Sequence, residues 1–219
     1  MNIRDCLGLK FPDEYVTRFF FKEALQSNRG TALELGCGNG NNLALFHAYG
    51  YAVTGVDISS TAIDQAQRNF TGSYGQGIGS DFSFIQEDMR SYLDRDEEHY
   101  EVVLLPSSLY YLPESEIEAV LRRARRNMKP GSRFYLRMRA TEDYRWGKGN
   151  ALSERSWRLT TSVTGEMDCI VTFYRQEDFA AILSLLWKPV RTTWCRCRFD
   201  NPQNGVLVTN DDFIVWGEV

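Results

Sequence analysis

The chain has 219 residues, 43% hydrophobic and 25% charged, with 17 glycines against 6 prolines, a balance that suits a folded globular core and excludes disordered and fibrous classes. Its formal charge of −4 and isoelectric point near 5.3 disfavour a broad nucleic-acid footprint, which needs many clustered Lys and Arg. No run approaches the roughly 20 apolar residues that cross a bilayer, and the opening MNIRDCLGLK lacks a secretion signal, so a cytoplasmic protein that does not engage membranes is expected.

Residues 12–27 open with Pro12 and set Tyr15, Phe19 and Ala24 near one helical face, which predicts an amphipathic helix within an N-terminal cap over about 1–29. The run Thr31 to Leu35, bounded by glycines, suits a strand buried on both faces of a parallel sheet. A helix over 41–49, a strand over 51–56 and a helix over 59–70 follow, the last capped by Ser59 or Ser60. The stretch GSYGQGIGS over 72–80 reads as a loop in place of a further helix. Strands are expected over 82–86 and 100–105, then a helix over 113–128 that Lys129-Pro130-Gly131 ends, and a strand over 132–138. The polar segment over about 139–165, with Trp146 and Trp157, is too long for an ordinary connection and reads as an insertion. An extended stretch over 168–174 leads to a helix over 176–186, and strands over 190–199 and 212–216 form a terminal antiparallel pair around a turn over 200–205. Strands alternating with helices predict an α/β fold, Rossmann-like and doubly wound around a mostly parallel sheet, in one domain over 1–219.

The chemistry concentrates in LELGCGNGN, Leu33 to Asn41. Glycines 36, 38 and 40 between a strand and a helix allow a sharp turn and a close approach to a ligand, while the helix start offers unpaired N–H groups. A dinucleotide fingerprint would need a third glycine where Asn41 stands, and Glu34 suits a cationic ligand better than a pyrophosphate. Asp57, ending the second strand, can accept hydrogen bonds from ribose hydroxyls. Asp88 after the third strand can accept one from an adenine amino group, with the apolar Met89 against the ring. Three acidic strand ends thus converge on one crevice.

This constellation resembles the class I S-adenosylmethionine-dependent methyltransferases, from about Thr31 to the final strands. The resemblance implies a seven-stranded sheet with a final antiparallel strand, and S-adenosylmethionine as cofactor, leaving S-adenosylhomocysteine. It further implies cofactor contacts from Glu34, Gly36, Cys37, Gly38 and Gly40, from Asp57 and Ile58, from Asp88 and Met89, and from Leu105. Ser107, Tyr110 and Tyr111, after the fourth strand, fall where relatives line the acceptor site, and Tyr15 with Arg18 falls where an N-terminal helix covers the cofactor, so Tyr15, Ser107, Tyr110 and Tyr111 are the candidate substrate contacts. Here the chain departs from the Asn/Asp-Pro-Pro-Tyr/Phe loop of amide and base N-methylating enzymes and lacks the Pro-Cys of cytosine carbon-5 enzymes.

No residue presents itself as a catalytic base: His47 falls on the helix after the glycine loop and His99 in a charged turn. A thiol, carboxylate or free amine acceptor needs none. The expected partner is a small-molecule acceptor, with a protein acceptor left open and nucleic acid disfavoured. The sequence does not set the oligomeric state. A catalytically inactive cofactor-binding module is the alternative, and a nicotinamide oxidoreductase is weakened by Asn41. The five cysteines, Cys6, Cys37, Cys169, Cys195 and Cys197, lack the paired spacings of a zinc site or disulfide framework, so no metal is expected. Arg122, Arg123, Arg125, Arg126 and Lys129 spread around a helix as a solvated face.

Overall fold

The computed structural model describes residues 3–74 and 81–219. Five parallel strands, β1 (Thr31–Leu35), β2 (Ala52–Asp57), β3 (Phe82–Gln86), β4 (Tyr100–Leu105) and β5 (Met128–Ala140), lie in the order β3-β2-β1-β4-β5. On β4, side chains alternate between the two faces: Val102 and Leu104 enter one core, Val103 and Leu105 the other. This two-sided burial explains why the central strands carry continuous apolar runs rather than a polar alternation.

Helices α1 (Glu14–Lys22), α2 (Asn41–Ala48) and α3 (Ser60–Asn69) serve the first core through Val16, Phe19, Phe20, Leu43 and Phe46, with Ile63 packed against it. Helices α4 (Met89–Arg95), α5 (Glu114–Arg126) and α6 (Gln176–Leu186) serve the second through Leu93, Ile117, Leu121, Phe179 and Leu183. Helix α1 starts at Glu14 rather than at Pro12, capped by Asp13, whose carboxylate accepts from the amides of Tyr15 and Val16. Ser59 caps α3 by accepting from Ala62 N at 3.2 Å. Met89 opens the short helix α4, which the sequence pattern did not announce. Tyr74 closes a π-helical turn from Phe70; the remainder of the expected glycine-rich loop, 75–80, lies outside the described residues.

The sheet holds ten strands where seven were expected. Two are the terminal pair β9 (Arg191–Gln203) and β10 (Val206–Glu218), longer than the pattern suggested because the turn is Asn204-Gly205 rather than a loop over 200–205. Both turn residues take positive φ, +48° and +77°, the conformation that Asn-Gly hairpins favour. β10 runs antiparallel along Arg133–Arg139 of β5. Strand β5 also begins four residues earlier than expected: helix α5 has already ended at Arg126, and Pro130-Gly131 is absorbed in an irregular register between Tyr100 and Val102.

The other additions come from the polar segment: β6 (Gly149–Ala151) and β7 (Ser156–Leu159) form a hairpin that joins β8 (Ile170–Tyr174). β8 pairs with β5 only at Arg139 and Ala140, beyond the last partner of β4 at Leu136. Since β10 occupies the far edge of β5 there, β8 continues the line of β4 and brings its hairpin over the loop that leaves β4. Thr172 Oγ1 donates to Leu112 O at 2.6 Å and Glu114 N to Ser156 Oγ at 2.8 Å, fixing that contact. Among the described residues, no helix is long and apolar enough to cross a membrane. The basic residues of α5 disperse: Arg122 pairs with Glu118, Arg123 with Asp94, and Lys129 beyond it with Glu101.

Candidate functional site

Strand β1 ends in a turn that only glycine tolerates. Gly36, Gly38 and Gly40 have φ of +79°, +53° and +79°, left-handed values that cost other residues about 1–2 kcal/mol. At Gly36 a Cβ would stand 2.3 Å from Ser108 Cβ. Gly36→Ala is therefore expected to destabilise the fold by at least ~2 kcal/mol through strain and overlap together. Denaturant melts should show Ser108→Gly restoring the overlap part but not the strain; a Gly36→Ala variant as stable as the parent would refute this account of the turn.

Asp57 fastens the turn from the next strand. Its Oδ2 accepts from Gly38 N at 2.9 Å and its Oδ1 from Ser59 N at 2.9 Å, so one carboxylate ties the glycine loop to the start of α3. Both oxygens keep further lone pairs. Behind the loop, Glu34 is buried and accepts from Asn42 Nδ2 at 2.8 Å. Asn42 in turn accepts from Asp13 N at 2.8 Å. Glu34 Oε2 has no hydrogen-bond partner among the described residues. Burial, opposed by the Asn42 hydrogen bond and aided by Asp57 and Asp13, pushes Glu34 up to about 8.

A cavity of about 370 Å³ opens over these strand ends, within the roughly 300–1,000 Å³ of small-molecule sites. Gly36, Asp57, Ile58, Asp88, Met89, Ser107 and Tyr111 border it, together with Glu87, Arg90 and Ser108, which the sequence reading did not select. Other predicted residues lie elsewhere. Cys37 is buried against Gly55 and Phe84, Gly40 packs on Phe70 and Phe84, and Leu105 is core. Tyr110 is buried beneath the Arg139 guanidinium, 4.6 Å from the ring centre. Tyr15 borders a different cavity with Arg137 and Cys197, while Arg18 pairs with Glu14. His47 is buried against Phe70 and Phe82, and His99 is exposed.

Asp88 has a local duty as well. It caps α4 by accepting from Arg90 N at 2.8 Å, and its other oxygen pairs with Arg90 Nη2 at 2.5 Å. The Arg90 hydrogen bonds outweigh burial and hold its carboxyl below the usual range. Ser108, which fills the space above Gly36, donates to Leu35 O at 2.5 Å. Its signal was only steric and not visible in the sequence.

Residues 32–131 match a family described as a methyltransferase domain. The fold is shared with a methyltransferase of Methanosarcina mazei described as SAM-dependent (19% identity, 86% of this chain and 92% of the other, TM-score 0.66). It is shared too with a protein of Archaeoglobus fulgidus described in the same way (15% identity, 94% and 93%, TM-score 0.62). The fold is the one shared by class I S-adenosylmethionine-dependent methyltransferases. A third protein alike in fold is the 1,6-didemethyltoxoflavin-N1-methyltransferase of Burkholderia thailandensis, seen with its namesake and S-adenosylhomocysteine (13% identity, 94% and 78%, TM-score 0.60). No curated protein is similar enough in sequence to match it. The cofactor of these methyltransferases fits the residues present: the excess of carboxyl groups around the glycine loop, with one buried oxygen lacking a donor among the described residues, suits a cationic ligand.

Proposed function

We propose that this chain binds S-adenosylmethionine across the ends of β1, β2 and β3 and transfers its methyl group to a small-molecule acceptor entering beside the β4 loop. The carrying observation is that Gly36, Asp57 and Asp88, far apart in sequence, border one cavity that Ser107 and Tyr111 also line. In this reading the glycine loop and Glu34 hold the amino-acid portion, Asp57 the ribose hydroxyls, and Asp88 the adenine amino group with Met89 against the ring. Bound there, the sulfonium supplies an activated methyl group; the protein's part is alignment and exclusion of water. The toxoflavin-type enzyme, seen with a small molecule and the spent cofactor, supports a small acceptor here.

Calorimetry with S-adenosylmethionine, S-adenosylhomocysteine and NAD, followed by assay of S-adenosylhomocysteine release with metabolite fractions, tests the proposal. Micromolar binding of the first two and not of NAD, with release that depends on a fraction, is expected. NAD binding alone, or cofactor binding without turnover on any fraction, would count against it. A narrower test addresses Asp88. Because a hydrogen bond to a charged group is worth about 1.5–3 kcal/mol, S-adenosylhomocysteine should bind at least tenfold more tightly than S-inosylhomocysteine, which lacks the amino group. Asp88→Asn should narrow that ratio, and an unchanged ratio would assign Asp88 to capping α4 alone.

A further inference from the structure

An ionic assembly built from the end of β5, the segment that follows it and the loop between β7 and β8 reaches the cavity at Tyr111. Tyr111, which borders the cavity, donates its phenolic proton to Glu166 Oε1 at 2.6 Å. Glu166 lies between β7 and β8, and its side chain is 15% exposed. Its other oxygen accepts from Arg145 Nε, and Arg139 Nη2 stands 3.9 Å away. Arg145 is fixed by Asp143, at 3.0 Å from Nη1, and Asp143 Oδ2 accepts from the Asp211 amide at 3.0 Å. Arg139, Asp143 and Arg145 are all buried. Burying so many charges is costly unless each is paired, and paired they hold Glu166 in one place.

The arrangement constrains what can face Tyr111. A phenol has one proton and accepts through its lone pairs; with the proton committed to Glu166, only acceptor capacity is left for the cavity. We infer that Tyr111 receives a hydrogen bond from the methyl acceptor and that Glu166 positions it, so the acceptor presents an O–H or N–H group rather than a thioether, a thiolate or a carboxylate. This rests on the methyl-transfer reading above. As the acceptor's lone pair forms the bond to the methyl carbon, the carbon–sulfur pair stays on sulfur. The acceptor's proton passes to the Tyr111 oxygen while the phenolic proton passes to Glu166 Oε1. Burial works against charge on Glu166, but the Tyr111 and Arg145 hydrogen bonds and the Arg145 charge hold it below the usual carboxylate range. A weak base is sufficient, because a hydroxyl becomes strongly acidic once methylated.

The test uses the full chain saturated with S-adenosylhomocysteine and two probes, phenol and anisole, which differ in the donor proton. Dissociation constants come from saturation-transfer NMR titrations. Phenol should bind at least fivefold more tightly than anisole to the parent protein. Tyr111→Phe should erase that preference and Glu166→Gln should reduce it at least threefold, while both variants remain folded at the titration temperature and still saturate with S-adenosylhomocysteine. Equal binding of the two probes to the parent, or a preference that survives Tyr111→Phe, overturns the inference. If the parent fails to bind S-adenosylhomocysteine, the cofactor reading itself falls, an outcome separable from the first two.

Discussion

Replacing Asp57 with alanine is expected to weaken S-adenosylhomocysteine binding by a hundredfold or more and to lower stability by roughly 1–3 kcal/mol. The two effects share one cause. The carboxylate accepts from Gly38 N and Ser59 N, both at 2.9 Å, so its loss frees the glycine loop from the start of α3 before any ligand arrives. It also removes the remaining lone pairs offered to the ribose. Each charge-assisted bond is worth about 1.5–3 kcal/mol, and a hundredfold in affinity needs about 2.7. Asp57→Asn keeps the shape but turns one acceptor into a donor facing a donor, so it should fall between, near tenfold. Calorimetry gives the affinities and urea melts the stability. An alanine variant that binds like the parent would show that the loop is held by its own glycines and that the sugar contact is not made here.

The parts of the site legible in the sequence are those that follow from local rules. The Thr31–Leu35 run and the β4 run announce burial on both faces by continuous apolar residues. The glycines announce their own backbone, and Ser59 its cap. What stayed hidden depends on pairing over long distances. Strands β6 and β7 are three and four residues long, too short for any periodicity, and exist because β8 can dock on Arg139 and Ala140 of β5, beyond the last partner of β4. Helix α4 spans only seven residues, and no local pattern announces that Asp88 caps it while pairing with Arg90. Tyr15 was placed near the ligand by resemblance, but α1 packs its Phe19 and Phe20 into the first core and leaves Tyr15 beside Cys197. The missing base has the same origin: no histidine fills that place, and Glu166 is 55 residues from the tyrosine it engages.

Glu34 makes the ligand-free protein lose stability as the pH rises, and makes it bind a cationic cofactor more tightly over the same range. In the unfolded chain this carboxyl titrates near its ordinary 4.5; in the fold, burial pushes it up to about 8. The folded chain therefore retains a proton that the unfolded chain has given up between those values. Stability is fully present below the lower value, declines by at most roughly 1.4 kcal/mol for each pH unit through the interval, and levels off above the upper one. A bound ammonium near Glu34 favours the carboxylate, so binding expels that proton and affinity should rise from pH 6 to pH 7.5. The control is Glu34→Gln, which cannot ionise: its melting temperature should depend less on pH than the parent's, and its affinity should lose the upward slope. Calorimetry in two buffers of different ionisation enthalpy counts the proton, close to one released by the parent and none by the variant. Parallel pH profiles for the two proteins would mean that Glu34 is already ionised without ligand, and the carboxylate behind the glycine loop would then need another source of compensating charge.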